Sequence, residues 1–268
     1  MYVETRGASI WTVDMGPPGG PAIVGVGGWI GSWELWAWPF ARLSRHWRAV
    51  AFDHRGTGAT IAPAESIDHD SLVADVIAVM DALGVERAVL AGESAGTAVA
   101  VAAAAAHPDR VAGLVLVDGF VDGGRRSDDD PFMAALRSDY AGTIERFVQA
   151  CVPDPGQGAV REWGRRILAR ATPADAMALY RAGGVDVSGL LGGIAAPALV
   201  IHCEGDRLAP LEGGRRLAAG LPGARLHVLS GDEHVPTLTR PHEIAGLIEA
   251  RFGPPSAGRP RGRSRRDR

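Results

Sequence analysis

Three side chains in this sequence could together make a serine reactive toward a carbonyl carbon: Ser94, Asp206 and His234. A serine hydroxyl is a weak nucleophile at neutral pH. It needs a base to take its proton and an acid to orient that base. Ser94 lies in Gly92-Glu93-Ser94-Ala95-Gly96, with an apolar segment of strand type, Arg87 to Ala91, before it. A run of almost all Ala and Val, Thr97 to Ala106, follows. A strand that turns at once into a helix strains the residue at the turn and projects its side chain above the sheet edge. The residues two before and two after must then be small. Glycine at both places meets that demand. The turn also sets Ser94 at the amino end of a helix, where free N–H groups favour developing negative charge.

Eight histidines compete for the role of base. His234 lies in a loop after a strand, Gly231-Asp232-Glu233-His234-Val235-Pro236, just before a helix. His202 falls within an apolar strand and reads as a core residue, while His107 and His242 sit beside Pro at helix ends. His46, His69 and His227 read as surface or helix positions. His54 ends a strand and could line the site without taking part in the chemistry. For the acid, Asp206 follows the strand Ala198–Cys203 and stands 28 residues before His234, with one helix and one strand between them. That spacing puts both on neighbouring loops at one sheet edge. Asp118, also at a strand end, is the rival. Glu93 could reach the base or bond to the segment above it, and a structural role serves it equally well. Asp53 and Arg55 read as braces between loops.

The elements that must hold these groups alternate. A strand pair over residues 2–6 and 9–14 is followed by strands at Ala22–Val26, Arg48–Phe52, Arg87–Ala91 and Gly113–Val117. A helix is expected from about Ser32. Another is expected over Asp68–Leu83, with Leu72, Val76, Val79, Met80 and Leu83 on one side, Asp68 or Asp70 at its start and Gly84 at its end. Strand and helix in this alternation make a parallel sheet with helices on both faces, and active residues gather at the carboxyl ends of its strands. From about 120 to 193 the strand pattern stops, and amphipathic helices are expected near 131–151, 158–171 and 173–182. Such an insertion is a lid or cap over the site. Strands resume at Ala198–Cys203 and Arg225–Leu229, with helices at Glu212–Ala219 and Pro241–Arg251. The expected organisation is a core of 1–119 and 194–252, a helical cap of 120–193, and a disordered tail of 253–268.

That tail carries a net charge of +5 from six Arg and one Asp, which leaves about −8 for the rest of a chain whose total is −3. Pro, Gly and Ser around those Arg bury nothing, and the acidic body argues against a nucleic-acid partner. No apolar run reaches membrane-spanning length. Residues Met1–Arg6 lack the basic-then-apolar pattern of an export signal, so the expected compartment is the cytoplasm. Two cysteines, Cys151 and Cys203, make neither a metal spacing nor a disulfide framework.

The order Ser94, Asp206, His234 is that of the α/β-hydrolase triad, and the resemblance extends over residues 1–252. Gly27-Gly28-Trp29-Ile30-Gly31-Ser32, Asp53-His54-Arg55-Gly56, Gly205-Asp206-Arg207 and His234-Val235-Pro236 with Arg240-Pro241 carry it. The chain resembles serine-nucleophile esterases and lactonases of that superfamily. The resemblance implies an α/β-hydrolase fold with a small helical cap, no cofactor or metal, and a small-molecule ester or lactone as substrate. It also implies that the backbone N–H groups of Trp29 and Ala95 form the oxyanion hole. One departure is visible: Gly27-Gly28 stands where the family usually has His-Gly. Of seven tryptophans, Trp29, Trp33, Trp36, Trp38 and Trp47 cluster in and after this loop. Trp29 is expected to face the pocket and Trp33, Trp36 and Trp47 to pack the helix and cap, with an apolar or aromatic acyl pocket implied. The same triad could serve acyl transfer, cyclisation or C–C cleavage, and a ligand-sensing module is the remaining alternative.

Overall fold

The computed structural model describes residues 1–122 and 129–253. The chain opens with the antiparallel pair β1 (Tyr2–Thr5) and β2 (Ala8–Met15), then β3 (Ala22–Val26) and a 3-10 turn, Trp33–Trp36, leading into α1 (Ala37–Leu43). After these come β4 (Arg48–Phe52), α2 (His69–Ala82), β5 (Ala88–Glu93), α3 (Gly96–Ala106) and β6 (Val111–Val117). A helical segment follows: α4 (Pro131–Ser138), α5 (Tyr140–Cys151), α6 (Gly158–Leu168) and α7 (Pro173–Ala182). The sheet resumes with β7 (Ala198–Cys203), α8 (Leu211–Gly220) and β8 (Ala224–Leu229), and the chain continues through α9 (Pro236–Thr239) and α10 (Pro241–Phe252).

The strands form one sheet in the order β1-β2-β4-β3-β5-β6-β7-β8, parallel from β4 to β8. Successive strand residues point to opposite faces. Ile23, Ala49, Val89, Val115 and Leu199 pack with α1 and α10, and Val24, Val50, Leu90, Leu114 and Val200 pack with α2 and α3. Burial on both faces is why these strands read as unbroken apolar runs. The chain visits β4 on one side of β3 and then crosses to β5 on the other. Open α/β sheets bind ligands at such a reversal, outside the carboxyl ends of the strands. Here that place lies between the Gly27–Ser32 loop after β3 and Ser94 after β5.

Local chemistry fixes most element ends. Asp68 caps α2 by accepting from the Ser71 N–H at 2.7 Å. The helix expected over 131–151 is two helices, because Asp139 breaks the run and caps α5 through the Gly142 N–H at 2.9 Å. The helix expected over 158–171 ends at Leu168. An isolated bridge between Asp122 and Asp186 ties the two ends of the helical segment. Buried side chains of α4 to α7, among them Leu136, Ile144, Val148, Ile167 and Leu179, share one apolar cluster with the sheet. Among the described residues, no helix is long and apolar enough to cross a membrane. Except for Gly253, the basic tail of 253–268 lies outside the described residues.

Candidate active site

Ser94 adopts φ +51°, a left-handed conformation that a residue with a Cβ takes only under constraint. The glycines around it explain the constraint. A Cβ on Gly92 would lie 2.6 Å from the Gly96 carbonyl oxygen, and one on Gly96 would lie 2.5 Å from that of Gly27. The strand, the helix and the β3 loop therefore meet closer than any side chain permits. Held in this turn, Ser94 Oγ lies 2.8 Å from His234 Nε2, and His234 Nδ1 lies 2.6 Å from Asp206 Oδ2. A carboxylate only accepts, so Nδ1 carries the proton and Nε2 is free to accept from the serine hydroxyl. Asp206 is anchored in turn, its Oδ1 accepting from the N–H groups of Leu208 at 2.8 Å and Ala209 at 3.1 Å. All of Asp206 and His234 but a few per cent is buried.

Asp118 lies at the end of β6 with φ +44°. Its Oδ1 accepts from the Cys203 N–H at 2.7 Å and its Oδ2 meets no partner. Burial, and then the negative charge of Asp206, push its carboxyl well above the usual carboxylate range. Asp118, Asp206 and His234 bring three potential ligand atoms within 4.8 Å of one another. Nδ1 and Oδ2 at 2.6 Å are closer than ligands of one ion, which stand roughly 3 Å apart or more. That contact is a hydrogen bond between the two side chains, a spacing too short for two ligands of one ion. His202, in the core as its strand position suggests, donates from Nε2 to the Ala209 carbonyl at 2.7 Å and so braces the Asp206 loop. Burial lowers its pKa, consistent with a neutral donor.

Glu93 makes no hydrogen bond to His234 or to the helical segment. It is fully buried and accepts a hydrogen bond from Thr237 Oγ1 on α9, while Oε2 has no partner. Burial pushes its carboxyl up to about 8. A carboxyl raised in the folded state from about 4.5 to about 8 supports the fold fully below the lower value and loses that support as pH rises through the upper one. Glu93→Gln cannot ionise, so its Tm is expected to gain on that of the parent protein between about pH 4.5 and 8 and to hold a constant lead above. Thermal melts across that range check it, and a pH-independent difference would contradict it.

Two lobes of a cavity meet at Ser94 and His234. One is bordered by Ile30 and Leu35 after β3 and by Val148, Cys151, Gly164 and Ile167 of α5 and α6. The other is bordered by Trp29, Ala95, Phe120, Phe132, Phe147 and Tyr180. The chain has no Lys, and among the described residues no Arg lines either lobe. Trp29 faces both lobes. Its Nε1 donates to the Ala176 carbonyl at 2.8 Å, and its ring meets Phe132 and Phe147 edge-on at 5.1 Å. The other tryptophans lie elsewhere: Trp36 and Trp47 are fully buried with α1 and α10, Trp33 packs at the margin of that cluster, and Trp38 is exposed against Trp163. The aromatic lining thus comes from Phe120, Phe132, Phe147 and Tyr180 with Trp29. Phe132, Phe147 and Tyr180 carry no sequence signal of this role, because amphipathic spacing marks a buried face but not what that face meets, and Phe120 lies in a loop without periodicity. The sequence also gives no sign of the part played by Cys151, whose carbonyl accepts the His234 N–H at 2.8 Å and ties α5 to the base loop.

Asp53 and Arg55 act as braces. Asp53 accepts from the N–H groups of Trp33 and Ala59, each at 2.8 Å, and Arg55 forks onto Asp75 at 2.7 and 2.9 Å with both side chains buried. Gly28 packs against the serine, since a Cβ there would stand 3.3 Å from Ser94 Cβ. At Gly27 a Cβ would meet Leu35 Cδ1 and the Ser32 carbonyl oxygen at 3.4 Å, so the departure at this position leaves little clash to relieve.

A family model described as alpha/beta hydrolase fold matches residues 21–158. A protein of Caulobacter segnis provisionally named carbamate hydrolase RutD is 30% identical over 237 residues, covering 82% of this chain and 86% of the relative. The crystal structure of the enol-lactonase from Burkholderia xenovorans LB400 superposes with a TM-score of 0.83 at 25% identity, covering 93% of this chain and 98% of that one. The esterase RhEst1 from Rhodococcus sp. ECU1013 superposes with a TM-score of 0.83 at 27% identity, covering 93% and 96%.

Proposed function

The chain belongs to the alpha/beta hydrolase fold family, and from that premise we propose that it hydrolyses carboxylic esters or lactones through an acyl-enzyme formed on Ser94. The observation that carries the proposal is the hydrogen-bonded line from Asp206 through His234 to Ser94, at 2.6 and 2.8 Å, on a strained turn. In this reading His234 Nε2 takes the Ser94 proton as Oγ attacks the carbonyl carbon. The N–H groups of Trp29 and Ala95 bind the oxyanion. As the tetrahedral intermediate collapses, the same Nε2–H protonates the departing alkoxide, and water repeats the sequence to release the acid. Asp206 holds the imidazole in the required tautomer and stabilises its charged form. The helical segment from α4 to α7 is read as a cap over both lobes.

The lining supports an uncharged, apolar substrate, because an anion such as a carbamate meets no cation among the described residues. The leaving group must depart first, and the aromatic lobe borders Leu208, which is 38% exposed. We therefore place the leaving group in that lobe and the acyl chain in the slot under α5 and α6, where Val148 and Ile167 are buried. The direct test is release of p-nitrophenol from p-nitrophenyl butyrate, saturable and proportional to enzyme. A folded protein that turns over no ester, thioester or lactone in a broad panel would contradict the proposal. Product analysis in the presence of an added alcohol separates hydrolysis from acyl transfer.

A second expectation follows from Gly164, where an added Cβ meets only Val148 Cγ1, at 3.8 Å. Gly164→Phe has room for its Cβ, and its ring is expected to enter the slot. The rate with p-nitrophenyl octanoate is expected to fall about ten-fold or more relative to the acetate. Steady-state kinetics across the chain-length series checks this, and an unchanged profile would place the acyl chain elsewhere.

A further inference from the structure

His54 follows β4 in a loop held on every side. Its carbonyl accepts from Thr57 N–H at 3.1 Å and Thr57 Oγ1 at 2.9 Å, and the neighbouring Asp53 and Arg55 are pinned as described. The ring is 5% exposed, with Nε2 at 2.9 Å from the Gly28 carbonyl oxygen and Nδ1 at 3.3 Å from that of Arg55. Both partners are acceptors. The shorter contact requires that Nε2 carry a proton and donate to Gly28.

The Gly28 carbonyl and the Trp29 N–H belong to one planar peptide unit, in which the two bonds point in opposite directions. A donor fixed on the oxygen therefore sets the direction of the N–H. It also polarises the unit, which strengthens that N–H as a donor. The need is local. Gly27-Gly28 has no side chains to restrict its backbone, and glycine is the residue least able to hold a peptide plane by itself. Yet this loop approaches Ser94 within van der Waals contact and borders the same cavity.

We propose that His54 is a positioning residue for the oxyanion hole: its Nε2–H, bonded to the Gly28 carbonyl, aims the Trp29 N–H at the oxygen that becomes negative. The proposal rests on the reading that Trp29 N–H is an oxyanion donor to a Ser94 adduct. It adds that the donor is set from a loop 25 residues further along the chain, by a side chain that touches no substrate.

The test uses two variants of the full chain, His54→Gln, whose amide can place an N–H where Nε2 lies, and His54→Met, of similar length without a donor. A trifluoromethyl ketone, which forms a tetrahedral oxyanion adduct with a reactive serine, is the probe. Its hemiketal is read by 19F NMR and its affinity by inhibition. The expected result for His54→Met is a kcat lower by about 10- to 100-fold, part of the value of one donor, with KM within about three-fold. Ketone affinity should weaken by the same factor as kcat, and His54→Gln should recover most of both. A residue that merely fills space would not separate Met from Gln. Equal kinetics and ketone affinity in the two variants would overturn the proposal. Absence of any hemiketal in the unaltered protein would instead overturn the acyl-enzyme reading beneath it. Should the Met variant fail to fold, imidazole 15N shifts of the unaltered protein decide: Nε2 protonated supports the proposal, and the Nδ1-H tautomer overturns it.

Discussion

With Ser94 replaced by alanine, kcat/KM for p-nitrophenyl butyrate is expected to fall by about 10⁵-fold. The size of the loss follows from cooperation. Without Oγ there is nothing for His234 Nε2 to activate, and the Asp206–His234 pair is left with no covalent step to serve. What persists is the modest help that backbone N–H groups and a fitted cavity give to direct attack by water. Folding should be unaffected, since alanine and serine pay the same cost at φ +51° and the flanking glycines stay in place. Steady-state kinetics with a matched melting curve checks both halves. A variant that keeps a tenth of the activity would mean that another group is the nucleophile.

The second large effect separates two carboxyls. Asp206→Asn is expected to lower kcat by about 10³–10⁴-fold, because an amide can offer Nδ1 an N–H where a carboxylate must accept, and cannot balance an imidazolium. Asp118→Asn is expected to stay within about three-fold of the parent. Burial beside Asp206 disfavours the charged form of Asp118, its Oδ1 accepts from the Cys203 N–H, and an amide of the same shape can keep that bond. Parallel kcat measurements decide between them. A large loss from Asp118→Asn with a small one from Asp206→Asn would reverse the assignment.

The strands of the sheet were legible because parallel strands buried on both faces must be continuous apolar runs. Ala22–Val26, Arg48–Phe52 and Ala198–Cys203 begin and end where the sequence changes character. Ser94 stood out because its two glycines answer a steric demand that spans only five residues. His234 and Asp206 needed the additional step of placing two loops side by side, which the intervening helix and strand supply. The contacts that remained hidden are those made across distant elements with no periodic signature. Glu93 meets Thr237 from 144 residues away, and Trp29 bonds to Ala176 from 147. The carbonyl of Cys151 holds the His234 backbone. His54 at a strand end suggests a lining residue, and only the fold, which brings the Gly28 carbonyl within 2.9 Å of Nε2, gives its proton a destination. The break at Asp139 was hidden for a different reason, since an aspartate inside an amphipathic run is equally at home on a solvated face or as a cap.

Labelling with a fluorophosphonate followed by peptide mass mapping tests most directly whether Ser94 Oγ is the nucleophile that forms the acyl-enzyme. That role predicts one adduct per chain, on Ser94, with loss of ester hydrolysis in proportion to labelling. Full labelling at another residue, or hydrolysis that persists in a fully labelled protein, would contradict it.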